Sequence, residues 1–462
     1  MRSAPTPEST AAAIRRGRIA LVFLAAIAAT ALNEDICAEE PPPHAWYAPL
    51  KDIALGPGKV DVQFSERVRY EYLHNFSILR YGEEDDDVLL LRTRLGLDYR
   101  LDDRTHVFVE AQDARYTLNR LDVADFPGSC SYLDQADLRQ AFVEIRRIGD
   151  SPLGLKAGRQ ILLYGDRRVF APAEWGNVGN YWWDAVKLSL DMPSAQIDVL
   201  YGQRVLSEPY DLNFDHYPWH VGAVYARFGK GPTTFDAFYV IKHDWSGACQ
   251  GESGTGDETR HTLGFLMDRP AGDGWDYGLF GAGQLGKYGR DDIRAFGAIG
   301  RVGYTFDVPW KPRLGAEISY ASGDRSPADG VRGTFDGIFG AMDIPYGWMN
   351  VVSWKNLEDY AITASIQPTK SLRLSAEYHL FRLAESRDAW YWISGRPERR
   401  DTGGGAGRDL GQELDLIFRW QLGRELELLV GYSHFFAGAY LGRTGGSDED
   451  ADWFFVQFTY SF

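Results

Sequence analysis

Apolar and polar residues alternate with a period of two over most of the chain. Val60, Val62, Phe64, Val68, Tyr70 and Tyr72 are interleaved with Asp61, Gln63, Ser65, Arg67, Arg69 and Glu71. Leu89, Leu91, Leu95, Leu97 and Tyr99 alternate with Arg92, Arg94, Asp98 and Arg100. The same pattern returns at Leu314, Ala316, Ile318 and Tyr320 against Arg313 and Glu317, and at Leu414, Leu416, Phe418 and Trp420 against Glu413, Asp415 and Arg419. Successive residues of a β-strand point to opposite faces, so each segment has one apolar and one charged face. The last segment holds the pattern to its end: Phe454, Val456, Phe458, Tyr460 and terminal Phe462.

A soluble sandwich shares this alternation; the connections separate the two. Tight turns are expected at Leu101–Arg104, Gly149–Pro152, Met192–Ser194, Lys230–Pro232, Pro270–Gly274, Asp307–Pro312, Pro368–Ser371 and Leu422–Arg424. Between them lie longer connections, at Thr117–Ala136, Tyr164–Trp182, Val205–Pro218, His243–Thr259, Gly323–Leu357 and Glu385–Asp409. Short turns on one side and long loops on the other are the asymmetry of an outer-membrane barrel. The segments between these connections number about eighteen, even as bacterial barrels require. The fold class is therefore all-β, a single transmembrane antiparallel barrel with short periplasmic turns and long extracellular loops. Tyr and Trp suit the two membrane interfaces, and Trp46, Tyr47, Trp310, Trp420 and Tyr460 fall near strand ends or turns.

Composition refines the picture. The mean hydropathy is −0.32, far below that of a helical membrane protein, whereas a barrel averages its lipid and lumen faces. Arg15, Arg16 and Arg18 precede an apolar run from Ile19 to Leu32, the layout of a secretory signal peptide. Residues 1–38 are assigned to it, 39–59 to a periplasmic N-terminal segment and 60–462 to the barrel. The expected location is the outer membrane of a Gram-negative cell. A net charge of −16 argues against a nucleic-acid partner. Cys130 and Cys249 lie in the mature chain, where an oxidising milieu permits a disulfide without requiring one.

Catalytic patterns are lacking; no HExxH or CxxC spacing occurs. His379 faces inward between Glu377 and Phe381 and is the one histidine placed for chemistry. The charged face carries the main constellation. Arg67, Arg69, Arg92, Arg94, Arg100, Lys156, Lys187, Arg313, Arg373 and Arg419 point into the lumen by parity. Arg92 and Arg94 stand ~7 Å apart on one face, and Arg69 shares their parity on the preceding strand, so with Lys187 they are expected to line an anion-favouring constriction. The acids Asp61, Glu71, Asp98, Glu110, Glu144, Asp198, Glu317, Glu377, Glu413 and Asp415 share the lumen face, so a ladder of cross-strand ion pairs is the competing reading. No resident cofactor is expected. Acidic runs at Glu83–Asp87 and Asp448–Asp452 could bind Ca²⁺ or bridge to lipopolysaccharide through divalent ions. Trp348, Trp354, Trp390 and Trp392 are candidates for stacking on sugars.

Several motifs carry a family resemblance. Gly158-Arg159-Gln160, then Tyr164-Gly165-Asp166 and Arg168, resemble the GRQ…YGD.R motif of alginate-export barrels. Trp175, Asn177 and Gly179, then Asp184, Val186, Lys187 and Leu188, resemble its continuation, and Ala321-Ser322-Gly323-Asp324 its ASGD motif. Trp354, Asn356 and Leu357, Tyr378, His379 and Phe381, Gly411 to Asp415, and Gly431-Tyr432-Ser433 with Phe435 follow in order. The sequence departs from the family at Asn180-Tyr181-Trp182-Trp183-Asp184, where an Arg is replaced. The resemblance implies an eighteen-stranded barrel with an Arg-lined lumen through which an anionic polysaccharide leaves the cell. It also implies a saccharide substrate and periplasmic secretion components as partners. The terminal Phe462 resembles the signal read by the barrel-assembly machinery. A small-solute porin, or a barrel acting through its outer loops as adhesin or enzyme, are the alternatives.

The loop asymmetry yields a topological test. A cysteine at Ser326 should react with an impermeant thiol probe on intact cells, and one at Thr369 should not; the opposite pattern would invert the barrel.

Overall fold

The computed structural model describes residues 45–75, 85–118, 120, 130–229, 231–340 and 345–462. The signal-peptide assignment lies outside the described residues. One sheet of twenty hydrogen-bonded strands dominates the fold, and two of these, Ile53–Leu55 and Val331–Arg332, are short additions to it. The remaining eighteen are the staves of a barrel. In chain order they are β1 (Gly58–His74), β2 (Asp85–Arg100), β3 (Thr105–Thr117), β4 (Asp134–Ile145), β5 (Leu153–Ile161), β6 (Trp182–Asp191), β7 (Ala195–Val205), β8 (His216–Phe228) and β9 (Thr234–Gln250). They continue with β10 (Thr255–Arg269), β11 (Gly274–Tyr288), β12 (Asp291–Thr305), β13 (Arg313–Ala321), β14 (Leu357–Thr369), β15 (Leu372–Leu383), β16 (Asp409–Gln421), β17 (Leu426–Ala437) and β18 (Ala451–Ser461). Each pairs antiparallel with the next, and β18 pairs with β1 from Ser65↔Ser461 to His74↔Asp452, which closes the ring.

Burial is inverted relative to a soluble protein. Leu263, Leu285 and Ile362 are 64–68% exposed on the outside, whereas Arg67, Arg69, Glu413 and Asp415 are 0–3% exposed on the inside. The outer surface is therefore the lipid face and the charged side chains share the lumen. No described helix is long and apolar enough to cross a membrane, and strands do the crossing.

The tight turns fall where the sequence placed them. The outer connections differ in two cases. Strands β9 and β10 extend to Gln250 and Thr255, leaving residues 251–254 as the loop in place of His243–Thr259. Between β11 and β12 only Gly289 and Arg290 remain, so this outer connection is as tight as a periplasmic turn. Past the lipid zone the strands keep their backbone ladder without needing an apolar face, so periodicity stops before the strand does.

Cys130 and Cys249 are both buried and free, which corrects the possible disulfide. Cys130 precedes β4, while Cys249 follows a bulge at the outer end of β9. They belong to staves that are not neighbours, and the closed ladder holds them there.

The seam between first and last strands is reinforced by aromatic rings. The amide of Phe462 donates to the Phe64 carbonyl (3.1 Å) and that of Phe64 to the Phe462 carbonyl (3.2 Å). The Phe462 ring stacks on Tyr47 at 4.9 Å and on Phe64 at 5.7 Å, and meets Trp46 edge-on at 5.0 Å. Trp46 Nε1 donates to the Tyr460 hydroxyl (2.9 Å), and Tyr47 donates to Glu425 (2.7 Å). Each aromatic pair contributes about 0.5–1.5 kcal/mol beyond area burial. Phe462→Asp would place a charge among these rings, and its expected outcome is slowed assembly with a smaller heat-modifiable fraction on gels. Normal assembly of that variant would show that the clasp is dispensable.

Candidate functional site

The connection after β5, residues 162–181, folds into the lumen instead of lying over its mouth. Its backbone carbonyls need donors there, and the inward arginines of β1 and β2 supply them. Arg67 Nη1 donates to the carbonyls of Glu174 and Trp175 (both 3.2 Å), and its Nη2 to Gly176 O (3.0 Å) and Asn177 Oδ1 (3.2 Å). Arg69 donates to Trp175 O (2.8 Å) and lies 4.2 Å over the Trp175 ring. Arg92 reaches Glu174 O (3.1 Å), while Arg94 pairs with the Glu174 carboxylate (2.7 Å). Arg139 of β4 bridges Glu174 and Glu110. Asn177 then donates to the carbonyls of Leu91, Arg115 and Tyr132 at 2.8–3.2 Å. Across the lumen, Arg168 pairs with Asp166 (2.8 Å) and with Glu317 on β13, so the loop spans from wall to wall.

Arg67, Arg69, Arg92 and Arg94 thus converge, but on a loop. The first three are 2–7% exposed and the Arg94 side chain 12%. Lys187 does not join them; its Nζ lies 3.4 Å from Asp198 on the β6–β7 wall. Glu174 is the counter-charge at the centre of the cluster. Burial pushes its carboxyl up, but Arg94, Arg139 and Arg92 outweigh that and hold it at about 2.

A second connection, 322–356, enters from the other side. Phe339 forms a parallel bridge with Phe170, with Phe339 N to Val169 O at 3.2 Å and Ala171 N to Phe339 O at 3.0 Å. Trp348 meets Trp175 edge-on at 5.1 Å, and Trp354 packs on Phe335 and Phe280. Trp348, Trp354, Trp390 and Trp392 are 1–6% exposed. They build an apolar core in the outer half of the lumen, from which Trp348 also reaches the cavity below. Lys242 pairs there with Glu258 (2.8 Å) and Asp336 (3.6 Å), and Lys355 with Asp336 (3.3 Å).

Below this core, toward the short turns, lies a cavity of about 440 Å³ lined by Arg301, Arg313, Arg373, Arg419, Glu317, Glu377 and Trp348, among others. Arg313 makes a two-pronged pair with Asp276 (2.7 and 2.8 Å), Arg301 pairs with Asp268, and Arg419 with Glu427 (3.0 Å). Arg373 donates to Ser365 Oγ (3.0 Å) and makes no ion pair among the described residues. These guanidiniums stand at the periplasmic ends of β12 to β16 and form a basic vestibule.

A sequence profile described as alginate export matches residues 59–455. The chain belongs to the alginate export family. No curated protein sequence matches it. Among solved structures, OccK11 (OpdR) of Pseudomonas aeruginosa is 14% identical with a TM-score of 0.53, covering 87% of this chain and 96% of that one. OpdK of the same organism is 10% identical with a TM-score of 0.56, covering 87% and 98%. OccAB2 of Acinetobacter baumannii gives 9%, 0.56, 87% and 98%. At such identities the likeness is one of fold. Fold and family together make this an outer-membrane channel.

In this alginate-export barrel the family motifs pin the inward loops. Arg159 forms a two-pronged pair with Asp184 (2.9 and 3.0 Å), to which His216 also bonds (2.8 Å). Gln160 donates to the Ala185 carbonyl (2.9 Å), and Tyr164 to Asp198 (2.7 Å). Gly158 has φ +120° and its α-carbon faces the Ala141 carbonyl so closely that a Cβ would collide. Gly165 leaves room for the Tyr225 hydroxyl in the same way. Ser322 Oγ donates to Gly333 O (2.8 Å), a Cβ on Gly323 would overlap the Asn356 amide, and Asp324 caps Ser326 N (3.2 Å). The acidic runs are partly engaged locally: Asp85 with His74 (2.5 Å), and Asp452 with His434 (2.8 Å). Glu83 and Glu84 lie outside the described residues. Sequence reasoning missed Arg139 and Glu174. Arg139 has inward parity on β4, but nothing in the chain marks a loop residue as its partner.

Depression of Glu174 sets a pH window. Its carboxylate is stabilised in the folded protein above the ordinary value of 4.5, and that stabilisation is lost as pH falls toward about 2. Single-channel conductance should rise across this window as the loop loosens, and Glu174→Gln should remove the step. Arg67→Ala should lower stability by about 1.5–3 kcal/mol, the range for hydrogen bonds to a charged group, read by urea unfolding. An unchanged pH step in Glu174→Gln would place the titration elsewhere.

Proposed function

We propose that this outer-membrane channel passes an anionic polysaccharide or oligosaccharide, alginate-like by its family, passively and outward from the periplasm. The observation that carries this reading is the basic vestibule of Arg301, Arg313, Arg373 and Arg419 at the periplasmic end. Guanidiniums offer planar, two-pronged contacts to carboxylates, and low-dielectric walls strengthen their field. The acids that hold Arg313 and Arg301 in place, Asp276 and Asp268, aim their forks as well as balance them. Partners that fit the same reading are lipopolysaccharide, bridged by Ca²⁺ at the acidic outer runs, the assembly machinery at Phe462, and periplasmic components that deliver the polymer.

A second reading draws on the cavity's size. About 440 Å³ suits a small organic anion, and one solved neighbour, OpdK, is described with vanillate. Planar-bilayer recordings under a salt gradient separate the cases. Wild type should show an anion-selective reversal potential, and Arg373→Glu should shift it toward cations. Uronate oligomers on the periplasmic side should block the current in a length-dependent way. Block by small aromatic carboxylates alone would favour the second reading, and cation selectivity of wild type would overturn both.

A further inference from the structure

One cluster in the lumen wall borders the vestibule through Glu377 and has no part in the arginine clasp of loop 162–181. Across β15 and β16, register sets Glu377 opposite Asp415 and His379 opposite Glu413. From β14, Asp359 reaches the His379 ring, its oxygens 3.0 and 3.1 Å from Nδ1. That contact makes Nδ1 a donor to Asp359 and leaves Nε2 as the ring nitrogen open to a metal ion. The ring is 2% exposed, yet Nε2 has no hydrogen-bond partner among the described residues. Its carboxylate neighbour Glu377 Oε2 stands 3.8 Å away, too far for a hydrogen bond. Asp415 Oδ2 and Glu413 Oε2 likewise meet no N–H or hydroxyl donor among the described residues, on side chains that are 0% exposed. Ligand atoms of Glu377, His379 and Asp415 all lie within 4.8 Å of one another. A buried ring nitrogen and two buried carboxylate oxygens thus lack hydrogen-bond partners in one cluster, and leaving such groups unpaired is unfavourable.

We infer that Glu377, His379 and Asp415 form a divalent transition-metal site in the channel wall, with Glu413 as a further oxygen donor. One imidazole with carboxylates and no thiolate selects a borderline ion such as Zn²⁺ over soft Cu(I). The groups that orient metal ligands in known sites are present. Asp359 holds His379, Ser433 donates to Asp415, and the Met349 amide donates to Glu413 at 2.8 Å. Access is provided by Glu377, which lines the vestibule. Met349 belongs to the inward connection 322–356, so the ion would tie two wall strands, β15 and β16, to that loop. It would also neutralise acids that border the basic vestibule, a consequence that rests on the anionic-solute reading; the site itself does not.

The test uses the full-length protein in detergent, stripped with a chelator and titrated calorimetrically with Zn²⁺ or Ca²⁺ alone. The expected result is one Zn²⁺ per barrel, with Ca²⁺ bound more weakly. His379→Gln and Glu377→Gln should each weaken Zn²⁺ by at least about tenfold, the scale seen when a metal site loses supporting groups. Asp329→Asn, in the exposed outer loop, should leave it unchanged. If His379→Gln fails to assemble, Glu377→Gln, whose side chain borders open space, carries the same comparison. A wild type that binds no Zn²⁺, or variants that bind it unchanged, would overturn the site and leave a proton-sharing acid cluster. Because binding is read without any current, its failure is distinct from failure of the solute reading.

Discussion

Hydrocarbon offers a strand no water, so every backbone N–H and C=O that crosses it must find a partner in the protein. The pairing of β18 with β1 meets that constraint by leaving the sheet no edge. Everything else is a consequence. With the outside committed to lipid, alternation sends most charged residues of the strands inward, where a wall of side chains keeps water scarce. A charge so placed requires a partner, and the lumen is organised by how those partners are found.

Two solutions are visible. In the periplasmic half, strands next to each other or one apart pair charge with charge: Arg419 with Glu427, Lys187 with Asp198, and Arg313 with Asp276 across β12. Farther out, guanidiniums outnumber carboxylates, for Arg67, Arg69, Arg92, Arg94 and Arg139 meet only Glu71, Glu110 and Glu174. The deficit is met by main-chain carbonyls of residues 174–176. Carbonyls accept hydrogen bonds without cancelling a full charge, so the cluster stays positive in a low-dielectric setting. The inward loop satisfies the arginines geometrically and leaves their field in place.

The strands were legible because the lipid face repeats the same requirement eighteen times, and the strand count and turn positions follow from it. Strand ends beyond the membrane were less so, since β9 breaks register after Asp244 and pairs again at Cys249 and Gln250, with no alternation to mark it. The inward folding of 162–181 was invisible for a different reason. Arg67 and its acceptors are 107–110 residues apart, and parity tells where an arginine points but not what it meets. The inner aromatics Trp453 and Phe455 belong to the same blind spot: they interrupt the polar lumen face because Trp175 and Trp348 pack on them. The motif residues around Gly158 and Ser322 marked both inward loops in the sequence, though as a family signature and not as loop anchors.

Rigidity is therefore unevenly distributed. The wall is fixed by an uninterrupted ladder whose opening would expose many polar groups at once. Loop 162–181 is fixed by discrete contacts, among them Arg–carbonyl bonds, the Arg94–Glu174 and Arg168–Glu317 ion pairs and aromatic edges, and segments held this way open at lower free energy than a sheet. The width of the passage is set by these contacts and not by the barrel's circumference. Selectivity and conductance then share one set of residues. The arginines that would attract an anion also hold the loop that narrows its path, so substituting one of them alters the field and the bore together. Arg373 of the vestibule lacks this coupling, because it touches only the wall residue Ser365 among its hydrogen-bond partners. Charge at that end can be varied without moving a loop, which is why the sign of selectivity is best read there.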